Sequence, residues 1–128
     1  MRDIFGTWSL VKAVARDEAG NILRPPYGPI PMGRIIFTPE GRMMAVVCDG
    51  RTEMPADEKR GYASYCGNFR LEGNRLITAV DAAAIPERIG GLQIREYRFE
   101  EDFLVLRSPR RPSGEQRELF WRLSGPTH

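Results

Sequence analysis

The sequence predicts an all-β protein, an antiparallel up-and-down barrel of about eight strands with at most one short helix. Three observations predict it. Thirteen glycines and ten prolines are scattered along 128 residues between short apolar runs, which marks frequent turns and leaves little room for long helices. Several of those runs alternate apolar and polar side chains with a period of two. The runs also follow one another through hairpin-length connections. A long meander of that kind removes its exposed edges by closing on itself; a two-sheet sandwich is the alternative.

The elements follow in order. Phe5 to Val14 is apolar and rich in β-formers and reads as a long first strand, and 17–21 as a turn. Ile22-Leu23 is a candidate short strand. Arg24 to Met32 carries four prolines and reads as an extended loop, because proline cannot donate to a ladder. Arg34 to Phe37 and Arg42 to Cys48 flank Thr38-Pro39-Glu40-Gly41, which has proline and glycine where a type I turn prefers them; this is a β-hairpin. Pro55 to Gly61 is the one place for a short helix, with proline near the first position and acids in the first turn. Strands are then expected at Tyr62 to Leu71, Arg75 to Val80, Leu92 to Phe99, Phe103 to Arg107 and Gln116 to Leu123.

Length and composition limit the function classes. The chain is sized for one domain, 1–128, since domains run to roughly 100–200 residues. It buries enough surface to fold without a disulfide or metal. Nineteen basic residues against seventeen acidic leave a net charge of +2, too little for a nucleic-acid footprint. Seventeen of the basic residues are arginine; arginine suits bidentate pairing and stacking, although GC-rich coding accounts for the excess equally well. The N-terminus lacks the apolar region of a secretory signal, and no apolar run reaches the ~20 residues of a membrane span. A cytoplasmic location is therefore expected, with Cys48 and Cys66 as free thiols. The single histidine, His128, is the last residue, which excludes a histidine-based triad and an HExxH zinc site. No metal and no cofactor are expected.

A set of motifs carries a family resemblance. Gly6-Thr7-Trp8 is similar to the G-x-W signature of lipocalins and the wider calycin superfamily. It is joined by Tyr27-Gly28, the segment Gly33 to Met43, Tyr65-Cys66-Gly67-Asn68-Phe69, Gly91 to Tyr97 and Trp121-Arg122-Leu123. That order and spacing resemble the small bacterial lipocalin-like domain family across nearly the whole chain. The resemblance implies a calycin barrel with an interior cavity for a small ligand and implies no reaction. Members often carry a histidine in the strand after the Tyr-x-Gly strand; here that stretch is Leu76 to Val80 and has none. The resemblance also implies that Trp8 packs across one end of the barrel with Arg122 over its ring, both in structural roles.

Gln93, Arg95 and Tyr97 share strand parity and so share a face. If that face is the lumen, they are polar groups in an apolar cup, the usual character of a ligand site. Arg95 would then meet an acidic or carbonyl group. Otherwise Arg95 pairs with an internal acid, or the face is solvent. Ile35, Phe37, Met43, Ala45, Tyr65, Phe69, Leu104 and Leu106 would supply the apolar wall, or ordinary core. Gly67 either leaves room for a ligand or relieves barrel curvature. Cys66 reads as a buried inert thiol rather than a nucleophile. Asp81, Glu87 and Glu96 show no paired-carboxylate spacing. Pro109-Arg110-Arg111-Pro112 reads as a solvated hairpin tip.

The expected function is binding of a small apolar or amphipathic molecule inside the barrel by a monomer or homodimer, without nucleic acid or membrane as partner. An isomerase, cyclase or hydratase using the same cavity is the alternative. A titratable group beside Arg95 would favour the enzyme; its absence favours binding.

Overall fold

The computed structural model describes residues 3–124. Eight strands follow one another: β1 (Gly6–Arg16), β2 (Pro31–Phe37), β3 (Arg42–Asp49), β4 (Tyr62–Glu72), β5 (Arg75–Ala83), β6 (Leu92–Glu100), β7 (Phe103–Arg107) and β8 (Gln116–Leu123). Each pairs antiparallel with the next, and β8 returns to β1, so the barrel is closed. The hairpin of β2 and β3 sets Phe37 opposite Met43 and Ile35 opposite Ala45. The closing seam sets Trp8 opposite Leu123 and Leu10 opposite Trp121, with an irregularity between Leu10 and Lys12.

Three expectations are corrected. Residues 55–61 form no helix; Pro55 to Glu58 is a turn closed by the Glu58 N–H on the Pro55 carbonyl at 3.1 Å. The helical turn lies instead at Pro86–Arg88, a short 3-10 segment in the connection from β5 to β6. Ile22 makes only an isolated bridge to Arg16. The strand β2 starts at Pro31, the first position of a strand, where a missing N–H is tolerated.

Alternation places one set of side chains inside. Trp8, Leu10, Ile35, Phe37, Met43, Ala45, Val47, Leu76, Leu104, Leu106 and Trp121 form a continuous core with Ile4. Fully burying an aliphatic or aromatic side chain of this size contributes about 1.5–3 kcal/mol. The end where β1 begins and β2 finishes is filled. There the Trp8 indole N–H donates to the Ile4 carbonyl at 2.9 Å. Phe37 meets Phe69 edge-on, with ring centroids 5.1 Å apart. Phe99 stands 6.3 Å from Trp8 and 6.3 Å from Tyr97.

Two glycines make the packing possible. Gly67 lies where the β4–β5 register shifts; a β-carbon there would collide with the Ala79 carbonyl. Its role is therefore the close approach of two strands at a bulge. A β-carbon on Gly33 would press on the Val46 carbonyl of the neighbouring strand at 2.9 Å and crowd Leu10 and Trp121 from 3.2 and 3.3 Å, so this glycine makes room for the β3 backbone as well as the indole.

The Trp8–Arg122 contact is also corrected. Trp8 pairs with Leu123, and Arg122 pairs with Ser9 on the opposite parity. Arg122 therefore points outward, and its guanidinium lies over Phe103 at 5.1 Å. Phe103 in turn meets Phe120 edge-on at 5.8 Å, and Lys12 sits over the Phe120 ring at 4.4 Å.

Candidate functional site

The other end of the barrel holds a cavity of about 270 Å³. Its floor is Ile35, Ala45, Leu106, Leu119 and Trp121, its wall Val47, Ala63, Tyr65, Gln93 and Arg95, and its mouth Tyr27, Arg88, Ser108, Pro109, Arg111 and Arg117. Up-and-down topology explains the set. The connections β1–β2, β3–β4, β5–β6 and β7–β8 all fall at this end, so Tyr27, Arg88 and Arg111 converge there from three different connections.

The mouth is built by a polar lock. Asp49 is 3 % exposed. It accepts from Arg51 Nε at 3.1 Å, from Arg51 Nη2 at 2.7 Å and from the Arg51 backbone N–H at 3.1 Å. The Arg51 guanidinium holds the Asp49 carboxyl below the ordinary carboxylate range. Glu58 pairs with Arg24 and, at 3.5 Å, with Arg51. Arg60 donates to the carbonyls of Asp49 and Arg51, each at 2.6 Å. The Asp49 carboxylate also packs against Gly28, whose φ of 73° and lack of a side chain let the chain pass. Gly28 follows Tyr27 directly, so the lock fixes that ring at the rim.

The cavity is positive. No aspartate or glutamate is among the residues that border it. Arg95 donates from Nη1 to the Ile94 carbonyl at 2.9 Å, and among the described residues it has no carboxylate partner. Arg88 has none either. Arg111 and Arg117 share Glu115, at 3.5 and 3.4 Å. Burial, reinforced by the nearby Arg88 and Arg111 cations, lowers the Arg95 pKa from its ordinary value, yet a guanidinium keeps its proton in a protein. Burial raises the Tyr65 phenol above its ordinary value, with the Arg95 cation opposing it. Tyr65 is therefore a neutral hydrogen-bonding group near pH 7. Trp121, 1 % exposed, has an indole N–H with no acceptor among the described residues.

A family model for the lipocalin-like domain matches residues 5–123. The chain belongs to the lipocalin-like domain family. No curated protein and no solved structure matches it. A lipocalin-like barrel is a small-molecule-binding fold, and its cavity here is the natural candidate site.

Within this lipocalin-like barrel the residues singled out from sequence divide in two. Gln93, Arg95, Tyr65, Ile35 and Leu106 border the cavity. Tyr97, Phe69, Phe37, Met43 and Leu104 also point inward but pack in the core toward the filled end, without bordering it. Trp8 and Arg122 both border an open cleft at that end, together with Asp3 and Asp102.

The other candidates lie outside the barrel. The Cys66 thiol donates to Asp81 Oδ1 at 3.2 Å, and Asp81 accepts from Arg42 at 2.7 Å. The hydrogen bond to Asp81, with some burial, raises the Cys66 pKa, so the group stays an unreactive thiol. Glu96 pairs with Arg107, and Glu87 is exposed on the 3-10 turn. Cys48 is a free thiol as well. Among the described residues no cluster of His, Cys, Asp and Glu is placed to hold a metal, and no helix is long and apolar enough to cross a membrane. His128 lies outside the described residues.

Sequence reasoning missed Arg88, Arg111 and Arg117 at the mouth. The loop 109–112, read as a solvated tip, contributes Pro109 and Arg111 to the cavity, while Arg110 turns back to the Gly114 carbonyl at 2.6 Å.

Proposed function

We propose that this protein binds a small, mainly apolar molecule in the open half of its barrel, with an acidic group of the ligand meeting Arg95. The observation that carries the reading is the lining itself: an apolar floor, two phenols, and arginines without a bordering carboxylate. Mostly apolar walls with a few placed polar groups are what ligand sites use. An isomerase, cyclase or hydratase would need a base beside Arg95. The described lining offers only phenols, and that of Tyr65 is held neutral, which supports binding over turnover. Two free thiols support a reducing compartment.

Calorimetric titration with phenylacetate tests the proposal. The wild-type protein is expected to bind one equivalent saturably. An Ala63→Trp variant, which places an indole in the cavity, is expected to keep its melting temperature and lose the binding. Equal binding by both proteins would move the site elsewhere, and no binding of phenylacetate or other small aryl acids would reject the reading.

A further inference from the structure

We infer that the ligand is a compact dianion, carrying two negative charges at the mouth end and an apolar body at the floor. This rests on the cavity-binding reading above and specifies its ligand class.

Arg88, Arg95, Arg111 and Arg117 border one cavity of about 270 Å³, and no acid does. Glu115 serves both Arg111 and Arg117, while Arg88 and Arg95 are half-buried without a carboxylate partner among the described residues. On the outer wall Arg42, Arg70, Arg98 and Arg107 each hold a carboxylate, while the exposed Arg34, Arg75 and Arg122 hold none among the described residues; what sets Arg88 and Arg95 apart is that they share one small cavity. Among the described residues, four guanidinium groups against the single Glu115 carboxylate leave a surplus of three positive charges on one small cavity. Two of these, Arg88 and Arg95, repel each other with no acid between them, and a partner with two negative charges relieves that repulsion. A monoanion leaves one of them uncompensated. Guanidinium groups are also the side chains best shaped for carboxylate and phosphate oxygens.

Volume sets the body. A dry cavity of about 150 Å³ accepts benzene. A phenyl ring on the floor then leaves about 120 Å³ for the acidic head, the liquid volume of about four waters. A single ring or a short chain with a doubly charged head fits; a long-chain lipid does not. A phosphate monoester and a dicarboxylate both supply this chemistry.

The test compares four probes of one body by calorimetry near pH 7.5: benzyl alcohol, phenylacetate, phenylmalonate and phenyl phosphate. At least one dianion is expected to bind about tenfold or more tighter than phenylacetate, the factor a charge-assisted hydrogen bond brings. Whichever dianion gains identifies the head, one phosphoryl group or two carboxylates. Arg88→Met is expected to remove that gain, whereas Arg95→Met weakens all three anions. The wild-type comparison needs no variant, and melting curves establish that both variants fold. Dianions binding no tighter than phenylacetate would overturn this inference while the acid-binding site stands. Benzyl alcohol matching phenylacetate would remove the acidic group from the reading, and four silent titrations would reject the site altogether.

Discussion

Replacing Arg95 by methionine separates a recognition residue from a structural one. Arginine in a barrel interior usually has an internal acid, and breaking such a buried pair costs about 3–5 kcal/mol because the partner charge is stranded. Arg95 has no such partner among the described residues; its one hydrogen bond goes to the carbonyl of its own neighbour, Ile94. Methionine keeps similar bulk, removes a half-buried cation that Arg88 and Arg111 repel, and strands nothing. Unliganded stability is therefore expected to change by less than ~1 kcal/mol in either direction. Arg51→Met is the contrast. It strips Asp49, 3 % exposed, of its bidentate partner and is expected to destabilise the fold far more. Phenylacetate binding, in turn, is expected to fall in Arg95→Met by ~1.5–3 kcal/mol, the value of a hydrogen bond to a charged group, or roughly ten- to hundredfold. Urea unfolding without ligand and calorimetry with it give the two numbers. A loss of about 3 kcal/mol or more before ligand is added, or an unchanged affinity, would refute the assignment.

Other perturbations test the fold that positions the site. Gly67→Ala drives a methyl into the Ala79 carbonyl and is expected to cost at least ~1–3 kcal/mol in urea unfolding, the range for overpacking. Trp8→Ala, at a site 5 % exposed, is expected to cost ~3–5 kcal/mol. A double-mutant cycle is expected to couple Arg122 to Phe103 by ~0.5–1 kcal/mol, as for an exposed cation over a ring; coupling of Arg122 to Trp8 instead would contradict the register. Asp49 has a folded pKa below its ordinary value of 3.8. Its stabilisation is therefore present above that value and lost as pH falls toward the depressed folded value. Urea midpoints between pH 5 and 2 are expected to drop, and Asp49→Asn to flatten that limb.

Most of the strand order was legible because local chemistry and tertiary structure agree. The 34–47 hairpin has a turn whose residues demand it, β6 ends at the acidic turn Glu100-Glu101-Asp102, and β7 ends just before Pro109. The Pro55 segment failed because its helix-start signals are weaker than the lock around it. Asp49, Arg51, Glu58 and Arg60 hold that loop to the barrel rim, and a helix would pull them off. Arg122 failed for a different reason. Which face it takes depends on the β1–β8 register, and a one-residue slip exchanges the two faces.

The site was half legible. Alternation puts Gln93 and Arg95 on one face, but it puts Tyr97 there too. Which of the three reaches the cavity depends on how far the aromatic plug of Trp8, Phe37, Phe69 and Phe99 extends. Arg88 and Arg111 sit in connections, where period-two reasoning has no purchase. A usable signal was present nonetheless: in an up-and-down barrel alternate connections share an end, and three of the four at the mouth carry Tyr27, Arg88 and Arg111.

The most direct test of lumen binding is a set of intermolecular nuclear Overhauser effects between phenylacetate and methyl-labelled protein. Alternation along β2 and β3 supplies the control within the same strands. Ile35, Ala45 and Val47 face the cavity, whereas Ile36 and Val46 are exposed on the outer face at 40 % and 37 %. The account predicts ring-to-methyl effects at Ile35, Ala45, Val47 and Leu106 and none at Ile36 or Val46. Effects confined to the outer methyls, or none under saturating ligand, would contradict it.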